Sequence, residues 1–80
     1  MTSPEASPEM RDHFAHCIQL LGGPSAASRR MGIDERAIRR FVSGERPVSE
    51  ALLLDTAKVL RELADLASAA EAQITQALGR

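Results

Sequence analysis

The chain has 80 residues, 44% of them hydrophobic, and a net charge of −1. That length holds one small domain, which buries only about 60% of its unfolded surface, and the near-neutral total argues against a uniformly basic nucleic-acid protein. A single cysteine, Cys17, excludes an intrachain disulfide and a thiolate metal cluster.

Ala, Leu, Arg and Glu are abundant, β-branched residues are few, and Phe14 and Phe41 are the two aromatics. An aliphatic, Ala-rich core of this kind suits helices, so the fold class reads as all-α. The N-terminal stretch MTSPEASPE is polar and acidic, without the apolar run of a signal peptide. No run approaches the ~20 apolar residues of a membrane span. The expectation is a cytoplasmic protein with no membrane partner.

Residues 1–7 read as a disordered tail. The triplet SPE occurs at Ser3 and again at Ser7, and the second copy leads into a helical pattern. Ser7 is a good N-cap, Pro8 a good first helical residue, and Glu9 complements the helix dipole. The first helix is predicted over 8–21, with Met10, Phe14, Cys17, Ile18 and Leu21 on one face. Cys17 reads as a buried small hydrophobe. His13, His16 and Cys17 lie close in sequence, but they offer three neighbours and no fourth ligand, so no metal site is expected. Gly22-Gly23 ends the helix.

Pro24 opens a second, short helix over 24–31. Ser25, Ala26, Ala27 and Ser28 are small and allow close approach to a neighbour. Arg29 and Arg30 close the helix, where cations are favoured. Gly32 follows, where the chain needs a residue tolerant of positive φ. Asp34 is a natural N-cap for a third helix over 35–43. Ala27, Met31, Ile33, Ile38 and Phe41 fall where two packed helices and their turn need inward groups. Glu35, Arg36, Arg39 and Arg40 therefore point elsewhere. Gly44 caps the end, with Arg46 and Pro47 in the turn beyond.

Charge is concentrated here. Residues 29–46 hold six arginines against Asp34, Glu35 and Glu45, a local +3, while residues 1–28 and 47–80 each carry −2. Arginines on the start and middle of the second helix of such a pair suit a DNA reader. Arg29, Arg30 and Arg46, which flank that helix, are the expected phosphate contacts.

Ser49 reads as the next N-cap. From Glu50 to Leu78 there is neither Gly nor Pro. One long helix is expected, with a bend or break near 67–70 as the alternative. Leu53, Ala57 and Leu60 form one apolar stripe, predicted to complete the core. Leu52, Val59, Leu63, Leu66 and Ala70 form a second, and Ile74 and Leu78 extend it. Two stripes exceed what a domain of this size covers, and a patch of this kind marks an interface. Leu63, Leu66, Ala70 and Ile74 are the expected dimer contacts. The organisation read from the chain is thus a tail over 1–7, a DNA-binding domain over 8–63 and a dimerising extension over 64–80.

The stretch PSAASRRMGIDERAIRRFVS resembles the helix-turn-helix of the lambda-repressor-like, Cro-type (XRE) family of bacterial and phage regulators. That unit is about twenty residues long. It has glycine at its ninth place, a small residue at its fifth, and apolar residues at its fourth, eighth, tenth, fifteenth and eighteenth. From Pro24, those places hold Gly32, Ser28, Ala27, Met31, Ile33, Ile38 and Phe41. The resemblance covers roughly residues 10–63. It implies a four-helix lambda-repressor-like domain, here with a long C-terminal helix, and base contacts from Glu35, Arg36, Arg39 and Arg40. Arg36 and Arg40 share a face and are the first choice for bases. Arg39 stands at the edge of that face, suited to a base or a phosphate. Glu35 would accept from cytosine or hold Arg39 across one turn. Two departures stand out. Ser28 replaces the commonest Ala, and Pro24 replaces a polar residue, frequently Gln, that touches DNA.

The expected function is a homodimeric, sequence-specific DNA-binding regulator on an inverted-repeat operator. Repression is the expected sense, because binding itself must do the work. The alternative is an antitoxin-like interaction module whose C-terminal helix binds a partner protein. An enzyme is not expected: there is no Ser-His-Asp set, phosphate loop or metal quartet. No cofactor is expected.

Overall fold

The computed structural model describes residues 8–79. The expected tail over 1–7, including Ser7 as an N-cap, lies outside the described residues. Four helices follow in order: α1 (Pro8–Leu20), α2 (Pro24–Met31), α3 (Glu35–Ser43) and α4 (Glu50–Ala77). Among the described residues there is no strand, so the fold is all-α.

Helix ends fall where local chemistry puts them. The Ser49 hydroxyl accepts from the Leu52 amide at 3.1 Å and starts α4, so an orphan donor of its first turn is satisfied. Gly44 closes α3 at φ 86°, the left-handed region, and donates its amide to the Phe41 carbonyl. A Cβ at this position would stand 2.8 Å from Arg11 Nη1, so α1 and the end of α3 also meet here.

The core lies where α1, α2 and α3 converge. Phe14, Ile18, Leu21, Ala27, Ile38 and Val48 are buried. Phe14 meets Phe41 edge-on, with ring centroids 5.7 Å apart, a favoured aromatic geometry. Leu52, Leu53, Val59, Leu60 and Leu63 of α4 close the cluster from one side, and Met10, Met31, Ile33 and Val42 pack around it.

The first stripe expected on α4 is corrected. Ala57 is exposed, and its neighbour Thr56 is fully buried. The Thr56 hydroxyl donates to the Leu52 carbonyl at 2.7 Å, so its polar atom enters the core already satisfied. Cys17 is half-buried rather than buried. Burial still pushes its thiol pKa above the ordinary value. His13 and His16 are exposed.

Helix α4 runs unbroken through 67–70. Its 28 residues give a rod of roughly 42 Å, which sets the long dimension of a molecule measuring 56 × 25 × 16 Å. Leu63 is the last residue of α4 packed on the core. Beyond it Leu66, Ala70, Ile74 and Leu78 are exposed. No described helix is long and apolar enough to cross a membrane.

Candidate nucleic-acid interface

Helices α2 and α3 are held at a fixed turn by three contacts. Gly32 takes φ 70° and donates its amide to the Ser28 carbonyl at 2.9 Å. The Ser28 hydroxyl donates to the Ile33 carbonyl at 2.6 Å. Asp34 Oδ1 accepts from the Arg36 amide at 3.1 Å, the N-cap bond of α3. The departure at Ser28 thus has a structural role, since its hydroxyl closes the turn that joins the two helices.

Burial then orients α3. Ile38 is fully buried, and Ala37, Phe41 and Val42 are half-buried. Arg36, Arg39 and Arg40 are exposed on the remaining face, and Glu35 is half-buried beside them. A shallow recess is lined by Asp34, Glu35, Arg36 and Arg39. Glu35 Oε2 accepts from Arg39 Nη2 at 2.6 Å and from Nε at 3.2 Å. Glu35 Oε1 accepts from the Ser25 hydroxyl at 2.8 Å. The Arg39 bond, then the Ser25 bond, hold the Glu35 carboxyl pKa below the ordinary range, and the nearby charge of Arg29 adds to this.

Arg40 turns toward the exit of the helix, where its Nε lies 2.8 Å from Glu45 Oε2. Arg46 stacks over Phe41, its guanidinium carbon 5.0 Å from the ring centroid. Arg36, Arg29 and Arg30 form no ion pair among the described residues. The two flanking arginines at the end of α2 diverge in setting. The charge of Arg29 reaches Glu35. Arg30 lines a hollow with Val59, Glu62, Asp65 and Leu66 of α4. The structure thus brings Arg29, Arg36, Arg39, Arg40 and Arg46 to α3 and its ends, and turns Arg30 toward α4.

Sequence reading passed over three side chains. Ser25 reaches Glu35 from ten residues away, which no local spacing rule detects. Glu45 pairs with Arg40 across a helix end. Arg11 lies over Gly44 at the end of α3 and adds a cation there. Of the expected dimer contacts, Leu63 is half-buried against the core, Ala70 is exposed, and Leu66 and Ile74 are 63% and 61% exposed. Among the described residues no group of three His, Cys, Asp or Glu side chains stands close enough to hold a metal ion. Comparison with known proteins finds no family model, curated protein or solved structure that matches the chain.

Proposed function

We propose that the chain is a sequence-specific DNA-binding regulator of the lambda-repressor-like, Cro-type helix-turn-helix class, acting as a homodimer that represses by occupying an inverted-repeat operator. The observation that carries this reading is the division of α3. Ile38 and Phe41 enter the core, while Glu35, Arg36, Arg39 and Arg40 form a polar face directly after a tight, capped turn. In a helix-turn-helix that face lies in the major groove. Arginine supplies the paired donors that match guanine O6 and N7. Arg29 and Arg46, at the ends of α3, contact phosphate, while Arg30, turned toward α4, drops out of the expected set. The net charge of −2 on each side of the basic stretch, over 1–28 and 47–80, restricts docking to this face. The Cro-type resemblance of residues 24–43 supports the same placement.

The exposed end of α4 favours a second reading, an antitoxin-like module in which that end binds a partner protein. Leu66 and Ile74 of α4, and Leu78 just past its end, each stand more than 60% exposed.

Selection of bound sequences from a random DNA pool tests the first reading. The expected result is an enriched site with two inverted halves centred about 10–10.5 bp apart, or a multiple of that. A pool that stays random after selection, from a chain that is folded, would sink the DNA-binding proposal and leave the second.

A further inference from the structure

Glu35 has both carboxylate oxygens engaged. One takes two donors from Arg39, at Nη2 and Nε, and the other takes the Ser25 hydroxyl from α2. A guanidinium presents five N–H donors in a planar fork. Nε and Nη2 form one edge of that fork, and Glu35 occupies it. The other edge, formed by Nη1 and Nη2, has no partner among the described residues, and the Arg39 side chain is 65% exposed. That free edge offers two parallel donors, the arrangement guanine accepts at O6 and N7.

We propose that Arg39 is the residue that sets base preference, reading a guanine with its free edge, and that Glu35 and Ser25 are positioning residues that aim it. This rests on the DNA-binding reading above. Three features carry the assignment. Arg39 is held by one edge, so less side-chain freedom is lost when the other edge binds. The ion pair offsets the carboxylate charge that would otherwise face phosphate. The two arginines first chosen from the sequence stand differently: Arg40 is drawn to Glu45 beyond the end of the helix, and Arg36 has no side-chain partner to orient it among the described residues. Ser25 sits on α2, so the pair ties the first helix of the unit to the readout by the second. Pro24 removes one expected polar contact from the start of α2, and Ser25, next in the chain, acts through Glu35 instead.

The test is binding of the full chain to its selected site and to every single-base variant of it, at fixed salt. The proteins compared are the wild type, Arg39→Ala, Glu35→Gln, Ser25→Ala and Ser25→Thr, each checked for native helicity and melting temperature. The wild type is expected to favour one G·C pair by about 5- to 150-fold, the range of a bidentate contact. Arg39→Ala should abolish that preference and leave the other positions unchanged. Glu35→Gln should reduce it about tenfold, and Ser25→Ala about threefold, the weaker effect of an exposed contact. Ser25→Thr, which keeps the hydroxyl, should restore it. If Arg39→Ala and Glu35→Gln lose affinity evenly across the panel, Arg39 is a phosphate contact and the proposal is overturned. If the wild type itself shows no base preference, the DNA-reading proposal fails first and takes this one with it.

Discussion

The guanidinium of Arg46 lies over the ring of Phe41, 5.0 Å from its centroid. Phe41 in turn meets Phe14 edge-on, so an exposed cation after α3 is linked to the centre of the core through two aromatic rings. On the DNA-binding reading proposed above, Arg46 has a second role as a phosphate contact, and substitution can separate the two. Arg46→Ala should lower stability by about 0.5–1 kcal/mol through the lost cation–π contact. It should also weaken DNA binding evenly across sequences and reduce the salt slope by about 1. Arg46→Lys keeps the phosphate charge and should retain most of the slope. A change in base preference in either variant would remove Arg46 from the phosphate set.

The Ser28 hydroxyl bond to the Ile33 carbonyl closes the turn between α2 and α3. Ser28→Ala removes it from a half-buried site and should cost about 0.5–1.5 kcal/mol in urea unfolding. The same change gives this place the residue most common in the resembled family. Unchanged or raised stability would show that the hydroxyl contributes nothing net to the turn.

Helix boundaries were legible because their signals are local. Pro24, Gly32, Asp34, Gly44 and Ser49 each mark an end through backbone preference or a short side-chain bond. Contacts between distant segments were not. Thr56 is buried because its hydroxyl bonds back to Leu52 within its own helix, and hydropathy assigns such a residue to the surface. Ala57 was misplaced because α4 carries overlapping apolar stripes, and only packing selects the inward one. Val48 enters the core from a loop, where no periodicity marks it. On α3 the Glu35–Arg39 pair follows from its four-residue spacing. Ser25 joins that pair only once α2 and α3 are folded together.

Gly44 offers a paired test of the contact between α1 and the end of α3. Gly44→Ala forces an L residue to φ 86° and places a methyl group against Arg11. The backbone term should cost about 1–2 kcal/mol, with a further loss from displacing Arg11. In an Arg11→Ala background the second loss should vanish, leaving a smaller cost for the same glycine change. Gly32, at φ 70° with open space where a Cβ would stand, is the reference for the backbone term alone. Additive effects at Arg11 and Gly44 would show that the two residues do not interact.

Glu35 should titrate below the ordinary carboxylate range, because its hydrogen bonds from Arg39 and Ser25 favour the charged form. A depressed folded-state pKa gives stability that is present above the unfolded pKa, about 4.3 for Glu. That stability is lost as pH falls through the folded value. The contact therefore contributes fully near neutral pH and fades only in acid. Side-chain NMR titration of the wild type and Arg39→Ala checks this, with the midpoint expected to rise when Arg39 is removed. Coincident midpoints in the two proteins would mean that the ion pair is not formed in solution.

The exposed end of α4 carries the remaining prediction, that this segment joins two copies. Leu66, Ala70, Ile74 and Leu78 recur at four-residue intervals, and the three large side chains among them are 61–63% exposed. None of the four belongs to the core, which α4 last touches at Leu63. A second copy would cover the row with the same row, as a two-fold interface requires. The double change Leu66→Glu and Ile74→Glu should therefore give a folded monomer with native helicity. Cutting the chain after Leu60 is a poorer test, because it also removes Leu63 from the core. The monomer should bind an isolated half-site as the wild-type protomer does. On the full operator it should lose the added affinity that comes from placing two reading helices about 34–36 Å apart, one turn of DNA. Sedimentation of the variant and the wild type distinguishes the outcomes. A variant that remains dimeric places the interface elsewhere. A wild type that is monomeric at micromolar concentration and without DNA transfers the exposed row to the partner-protein reading.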